Sequence, residues 1–215
     1  MSSTCTDNCE DLAKSQNRSK ALMLEYFTVG YNVFEGIASI AAGILAGSIA
    51  LIGFGLDSAI ESASGGVLIW RLLKHGKIPP EEEEKVEKKA VRLVAYSFFL
   101  LAAYVTYESI EKLYLHEAPE PSLFGMIIAV LSIIIMPFLA YAKWKQGKKM
   151  GLRSLIADSK QTLICSMLSV ALLIGLGLNY LYGLWWADPV SALVIVVLIL
   201  KEGFKALKEE KLCTC

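Results

Sequence analysis

The chain has 215 residues, 55% of them hydrophobic, and a mean hydropathy of +0.51, which is more apolar surface than a water-soluble domain of this size can hide. Lys plus Arg and Asp plus Glu stand equal at 21 each, so there is no basic excess to engage a nucleic acid, and the charges gather between long apolar runs. Soluble enzymes and nucleic-acid-binding modules are thereby set aside in favour of an integral membrane protein of one domain.

Six apolar segments follow one another, at roughly 21–46, 49–73, 90–114, 122–143, 152–178 and 186–205, each close to the ~20 residues that a spanning helix needs. The expected fold is all-α: a polytopic membrane protein with six transmembrane helices over 21–205, a polar tail over 1–20 and a short tail over 206–215. No cleavable signal peptide is expected, because the first 20 residues are polar and the first apolar segment is long enough to span. An even number of spans puts the N- and C-termini on one side. All Lys and Arg residues except Lys112 and Lys160 fall on that side, before the first segment, in the links Arg71 to Arg92 and Lys143 to Arg153, and after the last segment. The positive-inside bias makes that side the cytoplasm. The opposite links, around Gly47, at LHEAPEPS and at NYLYGLWWADP, are poor in bases, and Trp185 and Trp186 suit an interfacial belt. Cys5 and Cys9 in the first tail, and Cys213 and Cys215 in the last, are expected as thiols rather than disulfides. They form either a soft metal clasp or disordered tails without defined binding.

In the first segment Gly36, Ser39, Gly43 and Gly47, and in the second Ser58, Ser62 and Gly66, place small residues where helix backbones approach closely. Glu25 lies shallow enough to be solvated at the headgroup level, whereas Glu35 is deeper and suits either core hydrogen bonding or proton carriage. The second segment holds a contradiction: Asp57 and Glu61 sit in the middle of a membrane-length apolar run. At ~1.5 Å of rise per residue, Asp57 lies ~13 Å from Ser48 and Glu61 ~15 Å from Arg71, near the midplane of a core ~30 Å thick. A carboxylate there costs at least ~2.5 kcal/mol on insertion scales and generally marks an ion or proton path. A spacing of four puts both on one helix face, as two ligands of one cation require. The alternative is a pair of protonated acids hydrogen-bonded to neighbouring helices. The link HGKIPPEEEEKVEKKA predicts a turn at Pro79 and Pro80 and a helix whose first turn holds Glu81 to Glu84. Those carboxylates are read as a solvated helix extension, with a cation-attracting mouth as the other reading. Pro137 should kink the fourth helix.

The fifth segment carries Asp158, Lys160, Gln161 and Cys165 at membrane depth. At ~100° per residue, Asp158, Gln161, Thr162 and Cys165 share a face and Lys160 points away, to pair with Glu25 or to snorkel. Counted from Arg153, Gln161 lies ~12 Å and Cys165 ~18 Å deep, level with Glu61 and Asp57 within about a turn. Two carboxylates, an amide oxygen and a thiol at one level approach the tetrahedral ligation of a divalent metal, and Asp158, one turn shallower, would hand ions in. The plainer alternatives are an interhelical hydrogen bond for Gln161 and packing as a small hydrophobe for Cys165.

At these residues the sequence resembles the cation diffusion facilitator family. Its second-helix pattern S-x-A-x-x-x-D-x-x-H-x-x-x-D is met by Ser48, Ala50, Phe54, Asp57 and Glu61, and its fifth-helix pattern A-D-x-x-H-x-x-x-D by Ala157, Asp158, Gln161 and Cys165. The stretch WADPVSALVI, with Asp188 and Pro189, is similar to the family's usual start of the sixth helix. The resemblance implies a non-enzymatic exporter in the plasma membrane or a bacterial inner membrane, moving a divalent metal ion (zinc, cobalt, cadmium or iron) out of the cytoplasm in exchange for protons, with no prosthetic group. It leaves a homodimer open. Against the family pattern both His positions are filled by Asp57 and Gln161, one Asp position by Cys165, the polar residue that often precedes the site is Phe54, and the chain reads as a short subgroup without the C-terminal cytoplasmic domain. Proton coupling would then fall to Asp57, Glu61 or Cys165, and the thiol would favour a thiophilic metal. The competing readings are a transport-inactive metal-binding sensor or interaction protein of the same fold, and a passive channel.

Overall fold

The computed structural model describes residues 3–46, 49–116, 123–182 and 184–211, and it is entirely helical there. Six helices follow in order: α1 (Ser3–Ala46), α2 (Ile49–Lys74), α3 (Pro80–Leu115), α4 (Leu123–Met150), α5 (Arg153–Tyr182) and α6 (Ala187–Lys211). Each of the six expected segments is one helix, and five of the helices reach several residues past the expected ends, α5 among them, which runs to Tyr182. The polar stretch before residue 21 continues α1, α3 begins at Pro80, α4 runs through Pro137 to Met150, and α6 continues to Lys211.

Local chemistry sets the ends. Pro80 opens α3, where its missing N–H is not needed, and Glu81, Glu82 and Glu83 follow at the positive end of the helix dipole. His116 stops α3 in the left-handed conformation, its N–H returning to the Lys112 carbonyl. Gly76 and Gly151, both at φ of 68°, let the chain leave α2 and α4 by the same left-handed step, which costs glycine nothing. Asp188 and Pro189 stand in the first turn of α6, as expected.

Packing runs in a closed ring, α1 against α2, α2 against α3, α3 against α6, α6 against α5, α5 against α4 and α4 back against α1, while α2 and α5 also meet across it. Large apolar side chains face outward, and many polar and charged ones are buried beside the apolar core, unlike a soluble protein. Phe34, Phe138, Val194 and Val197 are exposed; Asn32, Glu35, Ser58, Lys143 and Asp158 are buried. Such a distribution suits a solvent of lipid tails. Helices α1, α3, α4 and α5 contain stretches long and apolar enough to cross a membrane. The 26 and 25 residues of α2 and α6 give ~38 Å each, also sufficient for a ~30 Å core. Backbones come closest where α1 crosses α2: a Cβ at Gly55 would stand 2.8 Å from the Gly36 carbonyl oxygen. Gly65, not the expected Gly66, makes the second close approach, against Val29, because Gly66 faces open space.

At the basic end a buried clasp joins three helices. Arg71 of α2 donates to Glu87 of α3 at 2.5 Å and to Glu83 at 3.3 Å, and Glu83 also pairs with His75. Glu87 in turn accepts the Ser154 backbone N–H at 2.8 Å and its hydroxyl at 3.0 Å, which satisfies an orphan donor in the first turn of α5. The expectation of a solvated extension therefore holds for Glu81, Glu82 and Glu84, which are exposed, and fails for Glu83, which is drawn against the buried Arg71. Removal of one partner from a buried pair costs ~3–5 kcal/mol, since the other charge stays buried and alone. Glu87→Ala should therefore lower the thermal midpoint of the detergent-solubilised protein sharply, and Arg71→Met combined with Glu87→Leu should restore most of the loss. A single variant that melts like the wild type would show that the clasp contributes nothing.

Candidate metal centre

The carboxylates of α2 point to the inside of the ring. Asp57 is 4% and Glu61 2% exposed. From α5, the Cys165 thiol neighbours Asp57, and Thr162 and Cys165 neighbour Glu61. The structure thus brings Asp57, Glu61 and Cys165 together between α2 and α5. Asp57 Oδ2 and both oxygens of Glu61 nevertheless have no hydrogen-bond partner among the described residues. An unsatisfied buried carboxylate is costly, and the unused lone pairs are acceptors without a donor. Among the described residues no three His, Cys, Asp or Glu side chains stand as a cluster able to hold an ion in this arrangement.

Gln161 turns partly aside, its side-chain oxygen standing 2.7 Å from Ser97 Oγ of α3 while its Nε2 is buried and unpartnered. Ser97 Oγ is also 2.7 Å from the Val94 carbonyl oxygen. One hydroxyl has one proton, so it cannot donate to both. If the proton goes to Val94, the amide turned end for end gives Ser97 its N–H and leaves its oxygen on the unpartnered side. In that setting Gln161 offers the fourth donor that the sequence suggested.

Toward the basic end, one layer away, lies a group that the sequence reading assigned to a link. Lys143 of α4 is fully buried, 2.6 Å from Asp158 Oδ2 of α5 and 3.1 Å from Glu25 Oε2 of α1. Ser64 of α2 donates to the other Asp158 oxygen at 2.6 Å. Four helices converge here. Two expectations are corrected: Glu25 is buried rather than solvated, and its partner is Lys143, because Lys160 faces α6 and pairs with Glu202 at 2.6 Å. Asp158, expected to hand ions inward, is held by the ammonium and Ser64. Glu35 accepts from Ser58 at 3.0 Å and from Tyr31 at 3.3 Å, so of its two readings the hydrogen bonding is present.

Sequence reasoning also passed over Asn32, buried with both amide atoms unpartnered among the described residues. The signal was available: Glu25, Thr28, Asn32, Glu35 and Ser39 recur at alternating spacings of three and four, and all five are buried. That is the period of one helix face. The side chains of Cys5, Cys9 and Asp188, together with Cys213 and Cys215, lie outside the described residues, and the tail clasp expected there lies outside with them.

Lys143→Met should destabilise the protein by ~3–5 kcal/mol, leaving two carboxylates without their cation. Lys143→Met in an Asp158→Asn background should cost markedly less. A double-mutant cycle on thermal unfolding in detergent measures the difference, and strict additivity would show that Lys143 and Asp158 do not interact.

Residues 27–212 match the family described as the cation efflux transmembrane domain. Transmembrane protein 163 of Xenopus laevis is 23% identical over 91% of this chain and 69% of its own length. A cadmium, cobalt and zinc/H(+)-K(+) antiporter of Bacillus subtilis is 24% identical over 88% of this chain, which spans 61% of it. Metal tolerance protein 4 of rice is 24% identical over 87% of this chain, which spans 48% of it. With α2 to α6 and the second half of α1 inside the match, the chain belongs to the cation efflux transmembrane-domain family and is not an enzyme.

Proposed function

We propose that the protein exports a divalent transition-metal cation from the cytoplasm by alternating access, in exchange for protons, through a midmembrane site built by Asp57, Glu61, Cys165 and Gln161. The observation that carries the reading is the pair of buried α2 carboxylates with unused oxygens, facing a thiol and an amide of α5. The Bacillus relative, by its name a cadmium, cobalt and zinc antiporter, supports zinc, cobalt or cadmium as cargo, with iron as the harder alternative. Carboxylate and amide oxygens suit hard cations, while a thiolate favours soft ones. Because ion ligation here needs side chains to close on the cation, the site is read as one that opens to one side at a time rather than as a standing pore.

Zinc flux into proteoliposomes, with and without a pH gradient, tests the reading. Asp57→Asn and Glu61→Gln keep shape but remove charge, and each should abolish flux while leaving folded yield intact. Cys165→Ser should weaken cadmium and zinc uptake several-fold more than manganese uptake. Metal binding by the wild type without any flux would replace the transporter with the sensor reading.

The same reading places both termini in the cytoplasm, from the distribution of Lys and Arg. Single cysteines introduced at position 118 and at the exposed position 149 should differ in intact cells: an impermeant thiol reagent labels position 118 and spares position 149. The reverse pattern would invert the topology and the direction of transport.

A further inference from the structure

Away from the basic end, Asp57 opens onto a cavity of ≈ 50 Å³ bounded by α2, α3, α5 and α6. A space of about 10–15 Å³ on this measure holds one water, so the cavity accommodates an ion that keeps part of its hydration. One wall is Asp57, buried, with its Oδ2 unpartnered among the described residues. The opposite wall is α3, which presents Tyr104, Glu108 and Lys112. Lys112 Nζ stands 2.9 Å from Glu108 Oε1, and the two side chains are only 10% and 13% exposed. The Tyr104 hydroxyl is a further hydrogen-bonding neighbour of Glu108. Gly53 makes room for this carboxylate, because a Cβ there would overlap it. At ~1.5 Å per residue, Glu108 lies ~10 Å and Lys112 ~5 Å from the Leu115 end of α3. The order inward from that end is therefore ammonium, second acid, cavity, midmembrane acid.

Resting on the transport reading above, we propose that this cavity is an exit station for the divalent cation, in which Glu108 receives the ion from Asp57 and Lys112 competes with it for the same carboxylate. A carboxylate is needed because a dication leaving Asp57 must otherwise cross a low-dielectric wall uncompensated. A second acid that held the ion too firmly would trap it. Lys112 prevents that: when its ammonium returns to Glu108, the ion loses its counter-charge and moves out. Gly53 is the positioning residue, since its missing side chain lets Glu108 lean against α2 beside Asp57.

The test is inhibition of zinc uptake by zinc preloaded in the lumen of proteoliposomes, which occupies the exit side. Glu108→Gln should lower the maximal rate and raise the luminal zinc concentration for half-inhibition by about tenfold. Gly53→Ala, which displaces the carboxylate without changing charge, should shift it in the same direction. Lys112→Gln should shift it about tenfold the opposite way, because Glu108 then keeps its full charge for the ion. Opposite shifts from two residues of one pair are not what general loosening of the fold gives. Equal or like-signed shifts for Glu108→Gln and Lys112→Gln, or unchanged inhibition in both, would overturn the exit station. If zinc flux still depends on Asp57 in that case, the transport reading stands; absence of flux in the wild type would defeat the transport reading itself.

Discussion

A carboxylate can be kept inside a lipid-embedded bundle only if something balances it, and the structure is arranged around that constraint. At the basic end each buried charge meets at least one opposite charge, Arg71 with Glu83 and Glu87, and Lys143 with Asp158 and Glu25. One layer deeper the pattern breaks off. Glu61 and Asp57 have neighbours with hydroxyl and thiol groups, Lys143 reaches Glu61 only from the next layer, and three of their oxygens are unpartnered among the described residues. The break cannot be ascribed to exposure, because both residues are buried. It falls where α2 and α5 meet across the ring, a level at which a ligand set from two helices is available to something that comes and goes.

The polar residues form a sequence of levels rather than a pore. From the basic end they run through the Arg71 clasp, the Lys143 layer, Glu61 with Thr162, Asp57 with Cys165, and then the cavity with Glu108 and Lys112. Helix α2 contributes to every level, through Arg71, Ser64, Glu61, Asp57 and Gly53, so a shift of that helix alters adjacent levels together. The Lys143 layer links α1, α4 and α5 with Ser64 of α2, and the clasp links α2, α3 and α5. Alternating access on the proposed reading requires such shared elements, since opening one side must be felt by the other.

How much of this was legible in the sequence depended on the kind of signal. Helix number followed from apolar run length, and Asp57 and Glu61 followed from charge at midmembrane depth, because both are properties of a single segment. Lys143 was misassigned for the same reason: seen along the chain it begins a basic cluster, Lys143, Lys145, Lys148 and Lys149, and only the helical period separates the buried residue from its solvated neighbours. The partner of Glu25 was beyond reach, since the choice between Lys143 and Lys160 is fixed by which helix each faces. Gly66 was preferred to Gly65 because it kept a spacing of four from Ser58 and Ser62, whereas the contact with Val29 is set by the crossing of α1 and α2. The Glu108 wall was overlooked because the pair with Lys112 reads as an ordinary surface salt bridge at a helix end.

Charge counting inside the ring gives a physical reason for exchange. Between α1, α2, α4 and α5 lie five buried carboxyl groups, Glu25, Glu35, Asp57, Glu61 and Asp158, and one buried ammonium, Lys143. Two hydroxyl donors serve Glu35, and Lys143, which contacts Asp158 and Glu25, also acts electrostatically on Glu61, so one ammonium stands against five carboxyl groups and leaves the charge of Asp57 and Glu61 without a full counter-charge to offset it. Protons or a cation must do so in a medium where isolated charge is costly. A divalent ion balances both acids, and two protons balance them equally well. Swapping one for the other leaves the interior charge unchanged, while releasing the metal without taking up protons would leave two adjacent bare carboxylates. On these grounds proton exchange is the low-energy way to empty the site, and it needs no histidine.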